Sequence, residues 1–121
     1  MKSTPTFDWS RVTPFRRRVY EALLTIPRGR VTTYGELARA IGCRSPRAVG
    51  QALRHNPFAP AVPCHRVIAA NLAPGGFAGA TAGAELARKL ELLAAEGVRF
   101  AAGKLAEPDR LHYIAPQREE T

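Results

Sequence analysis

Cys64 and His65 stand side by side in Val62-Pro63-Cys64-His65-Arg66-Val67-Ile68, a thiol next to an imidazole and a guanidinium. Prolines at 57, 60 and 63 lead in, and a β-branched run leads out. Proline fixes φ and restricts the residue before it, so the approach to Cys64 is expected to be extended and stiff. Such a segment can aim a nucleophile. A free thiol is only a few per cent thiolate at neutral pH, and the thiolate is the reactive form, so a working Cys64 needs a base or a cation beside it. His65 and Arg66 are the nearest in sequence. Adjacent side chains on an extended segment point to opposite faces, which makes a bridging water the natural link between His65 and the sulfur. Taken alone, a single cysteine reads more readily as a small buried hydrophobe.

The elements around this stretch are short and well punctuated. Thr13-Pro14 places an N-cap before a first-turn proline, and Phe15, Val19, Ala22, Leu23 and Ile26 recur at helical spacing until Pro27-Arg28-Gly29. Arg16, Arg17 and Arg18 fall largely off that stripe, to meet phosphate or water. Thr33-x-x-Glu36 is a capping box that opens a helix through Ile41, with Gly42 at its left-handed end. Ser45-Pro46 repeats the cap signal for a helix to about His55, stopped by Asn56-Pro57. Two short helices joined by Gly42-Cys43-Arg44-Ser45 have the form of a helix-turn-helix, the second being the recognition helix. Its Gly50, Ala48 and Ala52 let the backbone approach a neighbouring surface, which a nucleic-acid groove or a packed helix would explain equally.

Asn71 to Gly83 reads as a Gly/Ala-rich loop, and a helix with Leu86, Leu90 and Leu93 on one face runs from Ala84 to Glu96 before Gly97. Val98 to Leu105 is expected to form a hairpin around Ala102-Gly103. An arm, residues 1–12, precedes the domain at 13–115, with Phe7 and Trp9 able to pin it to the body, and a tail covers 116–121.

With 121 residues, one domain with a modest core is expected. No apolar run reaches membrane-spanning length and no secretory layout opens the chain, which points to a soluble cytoplasmic protein with no membrane partner. Two cysteines without clustered histidines exclude a zinc-type site, so no metal and no cofactor is expected. The net charge of +8 is uneven: residues 1–56 hold eleven Lys/Arg against three Asp/Glu, and 57–121 hold seven against seven. A basic first half suggests a polyanion facing it, as against a surface tuned for solubility.

Five motifs occur in order: Thr33-Tyr34-Gly35-Glu36-Leu37-Ala38, Arg47-Ala48-Val49-Gly50, Arg54-His55-Asn56-Pro57, Pro63-Cys64-His65-Arg66-Val67-Ile68 and Leu92-Leu93-Ala94-Ala95-Glu96-Gly97. Together they resemble the DNA-binding and active-site domain of the methylated-DNA–protein-cysteine methyltransferases, over about Phe15 to Val98. The resemblance implies an α/β domain, mostly helical with a small β element, of winged helix-turn-helix type. It also implies a function: repair of O6-alkylguanine in double-stranded DNA by base flipping and single-turnover transfer of the alkyl group to Cys64, by a monomer.

By the same resemblance, His65 is the base that activates Cys64 through water, and Glu96 orients and charges His65. Tyr34 gives a proton to the leaving guanine, and Asn56 holds the recognition helix to the active-site loop. Arg47 enters the base stack from the minor groove. Arg44, Arg47, Ala48, Gly50 and Arg54 would meet the DNA, with Tyr34, Arg66, and Phe77 and Ala78 of the loop over the flipped base. Phe77 and Ala78 depart from the family's common Tyr and Ser, which removes a hydroxyl and leaves a backbone N–H to hold the base. The chain's length is similar to that of alkyltransferase-like proteins, which bind alkylguanine without repairing it and usually replace the cysteine. The alternative is therefore a damage sensor that recruits nucleotide-excision repair proteins. A plain transcriptional helix-turn-helix would give Cys64 and Glu96 no linked purpose.

Overall fold

The computed structural model describes residues 7–75 and 83–115, with the backbone alone at 84 and 85. Its elements run α1 (Pro14–Leu23), β1 (Thr32–Thr33), α2 (Tyr34–Ala40), α3 (Pro46–Arg54), β2 (Val67–Ile68), α4 (Ala84–Ala95), β3 (Phe100–Ala101) and β4 (Lys104–Leu105). The described part is mostly helical with two small sheets, a helix-turn-helix type of fold, as expected.

The caps read from the sequence are made. Thr13, Thr33 and Ser45 each accept the backbone N–H three residues on, at 3.1 Å, which satisfies a donor that the first turn leaves orphaned. Gly42 ends α2 at φ 72°. The capping box of α2 is only half formed: Glu36 turns away from Thr33 to bind Arg39 and the N–H of Ile114. That diversion fastens the segment after β4 onto α2. Of the arginines set aside for phosphate or water, Arg18 instead donates to the carbonyl of Ile41, and Arg17 lies over Trp9 and pairs with Glu21.

The helices α1, α2 and α3 enclose one apolar cluster, built from Val19, Tyr20, Leu23, Leu37, Ile41, Val49 and Leu53. Burying each such Leu, Ile or Val contributes roughly 1.5–3 kcal/mol. A second cluster holds Val31, Ile68, Leu93, Val98 and Leu105. Cys64 and Val67 belong to the first, Ile68 to the second, so the reactive stretch runs along the seam between them. Parallel pairing of β1 with β2, Thr32 against Val67 and Thr33 against Ile68, fixes the start of α2 beside this stretch. The hairpin expected around Ala102-Gly103 is present as β3 and β4, with φ of 53° and 79° at the two turn residues, the geometry that suits strand twist.

Candidate active site

Pro63 ends the loop after α3, and Cys64–Arg66 then form a single 3-10 turn before β2. The approach is therefore a closed loop and a tight turn instead of the extended run expected from the prolines. Asn56 explains the closure: its Nδ2 donates to the carbonyl of Val62 at 2.9 Å and its Oδ1 accepts the N–H of Phe58 at 2.9 Å. Thus Asn56 does join the end of α3 to the loop before Cys64.

His65 and Glu96, thirty-one residues apart, meet through Nε2 and Oε2 at 2.9 Å. Burial alone would raise the Glu96 carboxyl, but the hydrogen bonds from Arg66 and His65 outweigh it and hold it down at about 2. An ionised carboxylate only accepts, so the Nε2 of His65 carries the proton and Nδ1 keeps its lone pair. That Nδ1 is buried and has no hydrogen-bond partner among the described residues. Burial lowers the proton affinity of His65, more than Glu96 restores it. The imidazole is neutral at rest, the form a base requires.

Arg66, expected among the DNA contacts, turns its guanidinium inward. Nε and one terminal nitrogen grip both oxygens of Glu96 at 2.9 Å, and the other terminal nitrogen donates to the carbonyl of Ile26 at 2.8 Å. Such bidentate pairing fixes Glu96 in plane and neutralises much of its charge. Arg66 is a structural tie between the end of α1, the turn and the end of α4.

The cation that acts on Cys64 is Lys89, which the sequence reading passed over. It was assigned to no face, with Leu86, Leu90 and Leu93 named as the buried stripe, yet Lys89 is fully buried and Leu86 and Leu90 only half so. Its Nζ donates to the carbonyl of Val67 at 2.6 Å and lies 6.0 Å from the centre of the Tyr34 ring. Burial pulls its ammonium down to about 8, partly offset by Cys64. Burial in turn raises the Cys64 thiol, with the Asn56 side chain and the Lys89 charge drawing it back down. Cys64, only 7% exposed, therefore rests as a thiol. Signals for Lys89 did exist: it lies four residues before Leu93 and seven before Glu96, on one helical face.

Tyr34, half-buried at the first turn of α2, lies with its hydroxyl against Gly75: a Cβ there would stand 3.1 Å from it. Gly75, at φ 74°, thus allows the loop to close on the phenol. Burial raises the Tyr34 hydroxyl, so it keeps its proton. Phe77 and Ala78 lie outside the described residues.

On α3 the buried residues are Val49, Ala52 and Leu53, and Arg47, Gly50, Gln51 and Arg54 form the opposite face. Arg44 in the turn and Arg47 are exposed, and Ala48 is half-buried. A Cβ at Gly50 would meet nothing within 4 Å. Of the two explanations for its small side chain, a tightly packed helix is thereby removed among the described residues, and an external surface is left. Cys43 packs at the edge of the first cluster, with its sulfur against the N–H of Ser45.

Residues 14–98 match the family model of the 6-O-methylguanine DNA methyltransferase, DNA binding domain. The chain belongs to this family. Similar curated proteins named methylated-DNA–protein-cysteine methyltransferase include that of Thermococcus gammatolerans, 53% identical over 68 residues, covering 55% of this chain and 38% of the relative. That of Mycolicibacterium paratuberculosis is 49% identical over 87 residues, covering 71% and 50%. The chain spans about half, or less, of the length of these curated relatives. Similar solved structures include Mycobacterium tuberculosis OGT in complex with DNA, 48% identical with a TM-score of 0.64, covering 71% of this chain and 51% of that one. S. pombe Atl1 in complex with damaged DNA containing O6-carboxymethylguanine is 36% identical with a TM-score of 0.67, covering 81% and 94%. Every residue singled out from the resemblance to the methyltransferases falls within the matched stretch.

Proposed function

We propose that the chain repairs O6-alkylguanine in duplex DNA by moving the alkyl group onto Cys64, once per molecule. The observation that carries this reading is the hydrogen bond of His65 Nε2 to Glu96 at 2.9 Å, which sets the tautomer of His65. Glu96 accepts the hydrogen bond of Nε2–H and leaves the Nδ1 lone pair as the base, one residue from a buried thiol. Relatives named as methyltransferases, and a relative solved with DNA, support it.

The duplex lies on the exposed face of α3, where Gly50 allows close approach and Arg44, Arg47 and Arg54 supply charge. Arg47 fills the stack as the damaged nucleotide flips, a step that costs a few kcal/mol and is least costly for a mispaired base. His65 Nδ1 then takes the Cys64 proton through a water. The thiolate attacks the alkyl carbon, the new S–C bond forms as the C–O6 bond breaks, and the electron pair leaves with the guanine. Tyr34 gives its proton to the guanine. Lys89 offsets the negative charge first at Cys64 and then at the Tyr34 oxygen, and can return a proton to it. A thioether is a poor leaving group, so the protein is used up.

The test is to incubate the protein with DNA carrying O6-methylguanine and weigh its tryptic peptides. One methyl on the peptide His55 to Arg66, ending at one equivalent, is expected, with Cys43 unmodified. Tight binding with both thiols untouched would instead establish a sensor that holds alkylguanine without repairing it.

A further inference from the structure

We propose that residues 7–11, which precede the family-matched part of the chain, belong to the reactive site: Phe7 and Trp9 are positioning residues for Cys64, acting through Phe58. The inference rests on the alkyl-transfer reading for its consequence, and on packing for its substance.

Asp8 caps a single turn, Trp9–Arg11, by accepting the N–H of Ser10 at 3.2 Å, and Val12 N–H returns to Trp9 at 3.2 Å. This turn presents two rings to one side. Phe7 and Trp9 lie 5.5 Å apart, and both meet Phe58, at 5.1 and 5.6 Å between ring centres. Tyr20 closes a third side edge-on at 6.1 Å and 87°, and the Arg11 guanidinium lies 5.7 Å from the same ring. Tilted and edge-to-face contacts of this kind are the preferred aromatic geometries.

Phe58 is also the centre of the loop's own bonding. Its N–H goes to Asn56 and its carbonyl accepts Val62 N–H at 3.0 Å, and the Val62 carbonyl accepts Cys64 N–H at 2.9 Å. Only two backbone bonds therefore separate the Phe58 carbonyl from the nucleophile's own amide. Pro57, Ala59, Pro60 and Ala61 are exposed, so beside the Asn56 hydrogen bonds the Phe58 ring is the side chain that fastens this half of the loop to the body. Phe7, Trp9 and Arg11 of the arm meet that ring, as does Tyr20 of α1. Loosening the arm would free the loop, and the placement of Cys64 with it, at the margin of the first cluster, where Phe7, Trp9 and Phe58 pack.

Two readouts should move in opposite directions in Trp9→Ala. The first needs no DNA: alkylation of Cys64 by iodoacetamide should quicken severalfold as the buried sulfur opens, with Cys43 in the same molecule unchanged. The second is methyl transfer from O6-methylguanine DNA, which should slow roughly tenfold because a misplaced nucleophile loses its near-attack geometry, with DNA affinity unaltered. Trp9→Phe should restore both, and Phe7→Leu, which keeps an apolar contact if Trp9→Ala fails to fold, should show both changes more weakly. Equal quickening of Cys43 and Cys64 would mean global loosening and would overturn the clamp, as would unchanged Cys64 reactivity. If the unaltered protein transfers no methyl group, the repair reading fails, and the iodoacetamide comparison still decides the clamp.

Discussion

Lys89 and Glu96 stand seven residues apart, along α4 and at its C-cap with Leu93 between them, and hold the Cys64–Arg66 turn from within and from just beyond its end. Lys89 binds the carbonyl of Val67 just after the turn, and Glu96 binds His65 and Arg66 within it. Charges at both ends of a buried stripe are a costly way to pack a helix, and their placement points to the chemistry between them.

Replacing Lys89 by Met should therefore separate stability from reaction. The unfolded Lys has its ordinary value of 10.5 and the folded one about 8, so between these values the unfolded state binds more protons and stability rises with pH. Below pH 8 the buried charge is a burden. Lys89→Met should gain about 1–3 kcal/mol at pH 7 and should lose the rise in stability between pH 8 and 10.5. Methyl transfer should slow at the same time. A variant that is less stable at pH 7 and equally fast would remove Lys89 from the mechanism.

Glu96 has the opposite sign. Its folded value of about 2 lies below the ordinary 4.5, so its contribution is complete above pH 4.5 and is lost as pH falls toward 2. Denaturant titrations of Glu96→Gln and the unaltered protein should differ by roughly 3 kcal/mol at pH 7 and converge near pH 2. In transfer assays His65→Gln and Glu96→Gln together should lose little more than the worse single change, since coupled groups are not additive. Strictly additive losses would separate the two residues.

Tyr34→Phe keeps the ring against Gly75 and removes only the proton donor. Transfer should fall on the order of a hundredfold, with binding to O6-methylguanine DNA within twofold of the original by titration. A matching loss of affinity would make the hydroxyl a contact to the flipped base.

The face of α3 is tested by Gly50 and Arg47. Gly50→Ala has open space for its Cβ and should stabilise the helix by up to about 1 kcal/mol, while Gly50→Leu should fold and fail to bind DNA. Arg47→Ala should weaken binding to lesion-bearing duplex with an unchanged melting temperature. Binding by the unaltered protein should fall steeply between low and physiological salt, and a flat response would remove phosphate from the interface.

Local signals carried most of the fold: each helix except α4 began at a side-chain cap, and each ended near a Gly or Pro that the chain displays openly. The pairing of His65 with Glu96 was legible only through the resemblance, because thirty-one residues and a loop separate them. Lys89 was passed over and Arg66 assigned to DNA for one reason. A cation reads as surface or as a phosphate contact until its partners are known, and those partners are the carbonyls of Val67 and Ile26 and a carboxylate from another element. Trp9 and Phe58 lie forty-nine residues apart, and no periodic pattern links an arm to a loop.

The depth of Cys64 would have a chemical meaning for a protein that reacts once, as proposed above. Oxidants and soft electrophiles in a cell consume exposed thiolates first. A sulfur 7% exposed, with its proton held on by burial, is a poor target for them. On the proposed reading, each molecule is thereby kept in stock for its one transfer.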